Sequence, residues 1–172
     1  MSSKQKQKGF TLIELVVVIA ILAILAAFAL PRFASLSEQA HNASIEGTAG
    51  ALSAGVALTR AQWVSNGFTT ATQDLEGFGD GTVNMSAEGW PVSAGGQTAI
   101  DETMTGDRCV SVWDALLQAN APDVATTGTD VDYIATVTGT NSEVCTYTYQ
   151  PDNETNTIAY DVSTGEIDTT IN

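Results

Sequence analysis

The chain has 172 residues, 44% of them hydrophobic and 15% charged, with a formal net charge of −14. Such an acidic surface repels phosphate backbones, and no direct nucleic-acid binding by the globular part is expected. With one histidine (His41), two cysteines and no glycine-rich phosphate loop, no nucleophile, base and orienting group can be assembled, so no catalytic residue is assigned and no cofactor is implied.

The N-terminus carries the only lysines, Lys4, Lys6 and Lys8, followed by Gly9 and a long apolar run. Residues 10–30 number 21 and as a helix would rise about 30 Å, the depth of a bilayer's hydrocarbon core. The three lysines keep the short tail cytoplasmic and send the rest of the chain across the membrane. A removable secretory signal is one alternative, with Ala27-Phe28-Ala29 as a small-residue cleavage pattern. Against it stand 16 uninterrupted apolar residues at 15–30, longer than the usual run, and the acid Glu14 ahead of them. A plain single-pass anchor explains neither Gly9 nor Glu14. A carboxylate near the middle of a spanning helix costs roughly 2.5 to 3.5 kcal/mol on insertion scales, so Glu14 needs a partner.

The stretch KGFTLIELVVVIAILAILAAFALPRF resembles the N-terminus of a type IV prepilin. The likeness rests on a short basic leader ending in Gly9, Phe10 as the first mature residue, Thr11-Leu12-Ile13, Glu14 four residues beyond Phe10, an unbroken apolar helix, and Pro31. It implies that a membrane prepilin peptidase cuts between Gly9 and Phe10 and methylates the new amine of Phe10. Cutting turns a neutral amide nitrogen into an ammonium near Glu14. In a low-dielectric setting that charge can match the carboxylate, from the same helix or from a neighbouring subunit. The resemblance favours the neighbour and makes Glu14 a subunit-assembly residue. A subsite that admits backbone closely suits Gly9, which has no side chain. Pro31 has no N–H for the carbonyl of Ala27 and should kink or loosen the helix where it leaves the lipid. Ala23 stands where many members of the family have glycine.

Beyond Pro31 the helical pattern continues, with Ile45, Ala49, Leu52, Val56 and Trp63 on one stripe suited to packing on a sheet. Gly47, Gly50 and Gly55 each weaken the helix by up to about 1 kcal/mol against alanine, so tertiary contacts must hold this half. Asn66-Gly67 signals its end.

Residues 68–107 read mostly as loop. Asp74, Glu76 and Asp80 in DLEGFGDG are the nearest approach to a calcium-binding cluster, but the spacing does not fit an EF-hand and a solvated loop is the stronger reading. No metal ligand is assigned. Asn42, Asn84 and Asn153 head glycosylation sequons by pattern alone. VWDALLQ at 112–118 suits a short helix, and VDYIATVT from Val131, EVCTYTYQ from Glu143 and TIAYDV from Thr157 alternate as strands of an antiparallel meander.

Cys109 and Cys145 lie in the exported part, where disulfides persist, and a bridge between them is expected. It would tie the short helix to the second strand of the meander and stabilise by roughly 3 to 4 kcal/mol if unstrained. Two cysteines and one histidine far apart do not make a zinc site. In the resembled family such a pair bounds a variable, surface-exposed region, here residues 109–145, with Asp114, Asp123, Asp130 and Asp132. Receptor contact there is one reading and simple exposure the other.

The expected fold class is α+β. A basic leader (1–9) precedes a long helix (10–64), whose residues 10–30 form the membrane and filament core and whose residues 31–64 pack on the sheet. A globular head (65–172) follows, with an antiparallel sheet and one modest core. Without its leader the chain would have three arginines, Arg32, Arg60 and Arg108, against 20 acids, a side-chain charge of −17. With no lysine left, isopeptide-linked fibres are excluded.

The head, including EGWPVSAGG and GDRCVSVWDALLQ, resembles pilins of the mannose-sensitive haemagglutinin class. These resemblances imply the major subunit of a type IV pilus, a homo-oligomeric helical filament for attachment and biofilm formation. The precursor would wait in the inner membrane, be lifted by an assembly platform driven by a cytoplasmic ATPase, and end in an extracellular pilus that meets a surface or glycan receptor. The alternatives are a pseudopilin of a type II secretion system and a soluble exported binding protein with a removed signal peptide.

Overall fold

The computed structural model describes residues 9–117, 119–152 and 154–172. Lys4, Lys6 and Lys8 of the leader, Gln118 at the end of the expected short helix and the sequon residue Asn153 lie outside the described residues. The chain divides into two compact units, Met1–Ala40 and His41–Asn172, and helix α1 (Leu12–Ser65) contributes to both.

In the first unit α1 is apolar on all sides over residues 15–30 and carries its large side chains exposed. Pro31 lies inside the helix. Among the described residues this is the one helix long and apolar enough to cross a membrane.

In the second unit α1 is amphipathic. The stripe read from its period is buried, with Thr48, Gly55 and Thr59 filling the gaps between Ile45, Ala49, Leu52, Val56 and Trp63. Burying a side chain the size of isoleucine, leucine or valine contributes about 1.5 to 3 kcal/mol, which offsets the glycines in this half. The helix ends where Asn66-Gly67 indicates. Gly67 takes φ 77°, its N–H bonds Val64 O at 3.0 Å, and the N–H of Phe68 reaches back to Trp63 O at 3.3 Å, the paired bonds of a Schellman cap.

A two-stranded hairpin, β1 (Asn84–Met85) and β2 (Pro91–Ser93), interrupts the loop expected at 68–107. Helix α2 covers Gly106–Leu116, beginning six residues before the expected Val112. Thr105 caps it, accepting a hydrogen bond from the N–H of Arg108 at 3.3 Å, with Asp107 in the first turn. The five-stranded sheet has the order β3 (Val124–Ala125), β4 (Tyr133–Thr138), β5 (Val144–Tyr149), β6 (Thr157–Asp161) and β7 (Ile167–Thr170). The meander is antiparallel as expected. Short β3 joins its edge in parallel with β4, and β7 adds a fourth antiparallel strand.

Alternation puts Tyr133 and Ala135, Cys145, Tyr147 and Tyr149, and Ile158 and Tyr160 into the main core, where they meet α1 and α2. A satellite cluster of Trp63, Leu75, Val83, Met85 and Ala94 lies under the 68–95 loops, so the head has a second small core where one was expected. Leu75, Val83 and Met85 supply it from sequence that shows no regular period.

Gly55 lets α1 approach α2. A Cβ there would lie 3.0 Å from both Cβ and the carbonyl oxygen of Leu116. Alanine at an open helical site gains up to about 1 kcal/mol. Here the obstructing oxygen belongs to backbone at the end of α2, where the N–H of Leu117 bonds Trp113 O at 3.0 Å. Gly55→Ala is therefore expected to lose about 1 to 2 kcal/mol through overpacking. Gly50→Ala, with no atom within 4 Å of its Cβ, should be neutral or stabilising. Thermal unfolding of the purified chain in detergent checks both signs.

Candidate functional site

Gly9 and Phe10 precede α1 in exposed, non-helical backbone, and no atom lies within 4 Å of where a Cβ on Gly9 would be. Thr11 opens the helix. The backbone N–H of Thr11 donates to Glu14 Oε2 at 2.8 Å and its hydroxyl donates to the same oxygen at 2.7 Å, while the N–H of Glu14 returns to Thr11 Oγ1 at 3.3 Å. This is a reciprocal capping box, in which threonine at the cap and glutamate three residues on satisfy each other's backbone donors. The T-x-x-E spacing announces it, and it gives Glu14 a local role at the start of the helix. The box folds the carboxylate back toward the N-terminus, to within one residue of the nitrogen that cleavage after Gly9 would free.

Downstream the helix offers an unbroken apolar surface. Phe10 is 85% exposed, Leu12 80%, Phe28 76% and Phe33 68%. So much exposed apolar side chain on one helix requires a covering of lipid or other protein.

The head uses its scarce cations internally. Arg60 stacks on the ring of Trp90 at 3.8 Å and donates to Glu88 O at 2.7 Å. Gly165 abuts the Trp90 ring and Gly89 that of Trp63, so closely that a side chain on either glycine would enter the indole. The EGWP turn is thereby fixed to α1, and Tyr160 OH adds a hydrogen bond to Pro91 O at 2.9 Å. Arg108 is buried. Its guanidinium donates to the carbonyls of Val92, Asp101 and Thr103 and bridges Asp101 Oδ1 at 3.2 Å. An arginine so completely satisfied is a structural clamp between α2 and the 92–103 loop.

Cys109 in α2 is bonded to Cys145 in β5, both fully buried, and Tyr147 OH donates to Cys109 O at 2.8 Å beside them. The bracketed region is less exposed than expected. Val112, Trp113, Leu116, Tyr133 and Ala135 are buried, because α2 and β4 lie inside the bracket and supply part of the main core. Its exposed residues include Asp114, Asp123 and Asp130, while Asp132 is half-buried.

Asp74, Glu76 and Asp80 do not converge. Asp80 Oδ1 accepts from the N–H and hydroxyl of Thr82, and among the described residues no three His, Cys, Asp or Glu side chains could hold a metal ion. Asn84, a sequon residue, is buried with its amide donating to Ser93 Oγ and Gln97 O, so it offers no glycan acceptor. It holds the hairpin together.

One acidic pair does perturb itself. Burial first, then the hydrogen bond and charge of Glu88, then Asp161, push the Glu102 carboxyl up to about 7, while the same contact lowers Glu88. Of the two carboxyls, Glu102 therefore keeps its proton to the higher pH. Because the folded value exceeds the unfolded one, this stability is full below about pH 4.5 and lost as pH rises through 7. Glu102→Gln should remove that decline, raising Tm relative to the parent at pH 8 and leaving it nearly unchanged at pH 5. An unchanged pH profile would contradict the raised Glu102 carboxyl.

Residues 4–30 match the family model described as the prokaryotic N-terminal methylation motif. The chain is 35% identical over 109 residues to the type IV narrow pilus major component PilA5 of Thermus thermophilus, an alignment that covers 54% of this chain and 92% of that protein. No solved structure matches. The capped, exposed apolar helix, the motif at its start and a relative matched over nearly its whole length place the chain in the type IV pilin family.

Proposed function

We propose that this chain is the major, structural subunit of a type IV pilus, and that its chemistry is assembly. The observation that carries the reading is the pairing of an exposed apolar helical segment with a carboxylate turned back toward Phe10. A prepilin peptidase removes residues 1–9 by cutting after Gly9 and methylates Phe10. The freed ammonium is then available to Glu14 of a neighbouring subunit. Precursors wait in the inner membrane through residues 10–30, and an assembly platform driven by a cytoplasmic ATPase extracts them. Apolar helices replace lipid with one another, which keeps their surface dry throughout. Pro31, which supplies no N–H to Ala27, allows local loosening of the helix during that transfer. The heads (65–172) remain outside the filament core, in an extracellular pilus.

The EGWPVSAGG and GDRCVSVWDALLQ segments support membership of the mannose-sensitive haemagglutinin class, with attachment and biofilm formation as the function. In this chain they form the Trp90–Arg60 anchor and the Arg108 clamp. Exposed acids around Asp123 and Asp130 are the receptor-facing surface. Immunogold labelling of cells tests the reading: gold along fibres several micrometres long, lost on deletion together with surface attachment, is expected. Deletion that leaves fibres intact but traps secreted cargo in the periplasm would overturn it in favour of a pseudopilin.

A further inference from the structure

We infer that Arg32 of one subunit forms an ion pair with Glu38 of a second copy of this chain, and that this pair helps set the stagger between neighbours. The inference rests on the reading that apolar helices pack in parallel in a polymer. Among the described residues the arginines are Arg32, Arg60 and Arg108, and the last two are committed to Trp90 and Glu88 and to Asp101. Arg32 is exposed. The residues three and four away from it on the helix are Phe28, Ala29, Ser35 and Leu36, none acidic. Glu38 is likewise exposed, and its helical neighbours are Ala34, Ser35, His41 and Asn42. His41, the one base among them, is hydrogen-bonded to Tyr149 OH at 3.0 Å.

Six residues of α-helix turn through about 600°, which leaves Arg32 and Glu38 roughly 120° apart around the axis and about 9 Å apart along it. They therefore point to different sides of one helix, a third of a turn apart, and are too far apart along it to meet as an i, i+3 or i, i+4 pair does. Consistent with this, Arg32 lines a shallow concavity with Pro31, Ser35, Leu36 and Gln39, and Glu38 does not.

Opposite charges on different faces suit a head-to-tail contact, in which each copy gives its cation to one neighbour and its anion to another. Such contacts are heterologous and generate open filaments. The surrounding Leu30, Phe33 and Leu36 are 62% to 68% exposed, and packing that covers them would strand an unpaired guanidinium at high cost. The stagger also agrees with the assembly contact at the N-terminus. Setting a Phe10 amine beside the Glu14 of a neighbour needs an offset of four residues, about 6 Å. The remaining two residues of rise, about 3 Å, lie within the reach of an arginine side chain.

Charge exchange tests the pair. Arg32→Glu and Glu38→Arg, each as the only copy of the chain in the cell, are expected to lower sheared fibre yield by about tenfold or more. The double variant should return it to within about threefold of the parent, and Arg32→Glu with Glu46→Arg should not. Normal fibres from the single variants would overturn the inference, as would rescue by the Glu46 exchange. So would a double variant that stays defective while its membrane-held subunits still begin at Phe10. Absence of the parent chain from any fibre would instead overturn the polymer reading, and the pair with it.

Discussion

Glu14→Gln is expected to leave subunits inserted and processed at Phe10 while filament yield falls about 100-fold or more, since losing one member of a desolvated ion pair costs roughly 3 kcal/mol. Glutamine is the informative replacement because of the capping box. A carboxamide can still accept from the N–H of Thr11, so the first turn of α1 survives and only the charge is lost. Glu14→Leu removes cap and charge together, adding about 1 kcal/mol of helix-end destabilisation that has nothing to do with neighbours. If the glutamine variant assembles normally and the leucine variant does not, the role of Glu14 is local capping. Counting filaments by electron microscopy and weighing the N-terminal peptide separates the two outcomes.

The second large effect is expected at the disulfide. Replacing Cys109 and Cys145 together by alanine should destabilise the head by roughly 3 to 4 kcal/mol, from the chain entropy released by a loop of sequence separation 36. In a domain of this size that corresponds to about 10 °C or more in Tm. The loss has a structural address. α2 carries Trp113, whose ring lies 4.6 Å from Tyr147 and 4.9 Å from Tyr133, and the bridge holds that helix against the strands bearing both tyrosines. Calorimetry of the purified parent and double variant in detergent checks the shift, and a change below about 3 °C would mean that aromatic packing alone positions α2.

Much of this was legible because period is legible. Ile45, Leu52 and Val56 recur at helical spacing and Tyr133, Ala135, Cys145 and Tyr147 at strand spacing, so one face of each element declares itself. The start of α2 was hidden because Gly106, Asp107 and Arg108 read as loop, although the Thr105 cap is a visible helix-start signal. Arg108 itself was opaque: nothing local marks an arginine as buried when its partners are carbonyls at Val92, Asp101 and Thr103. The same holds for the Trp63–Gly89 and Trp90–Gly165 contacts, which join residues far apart in sequence. On α1, the cost of a carboxylate in an apolar helix already calls for a partner to Glu14. Its capping bond to Thr11, readable from four letters, emerged only from geometry.

The most direct test of the account is the intact mass of the polypeptide recovered from sheared surface fibres. The account predicts a chain that starts at N-methylated Phe10 and retains the whole apolar segment. A surface polypeptide that starts after Ala29 would contradict it, because no helix would then remain to build the filament core.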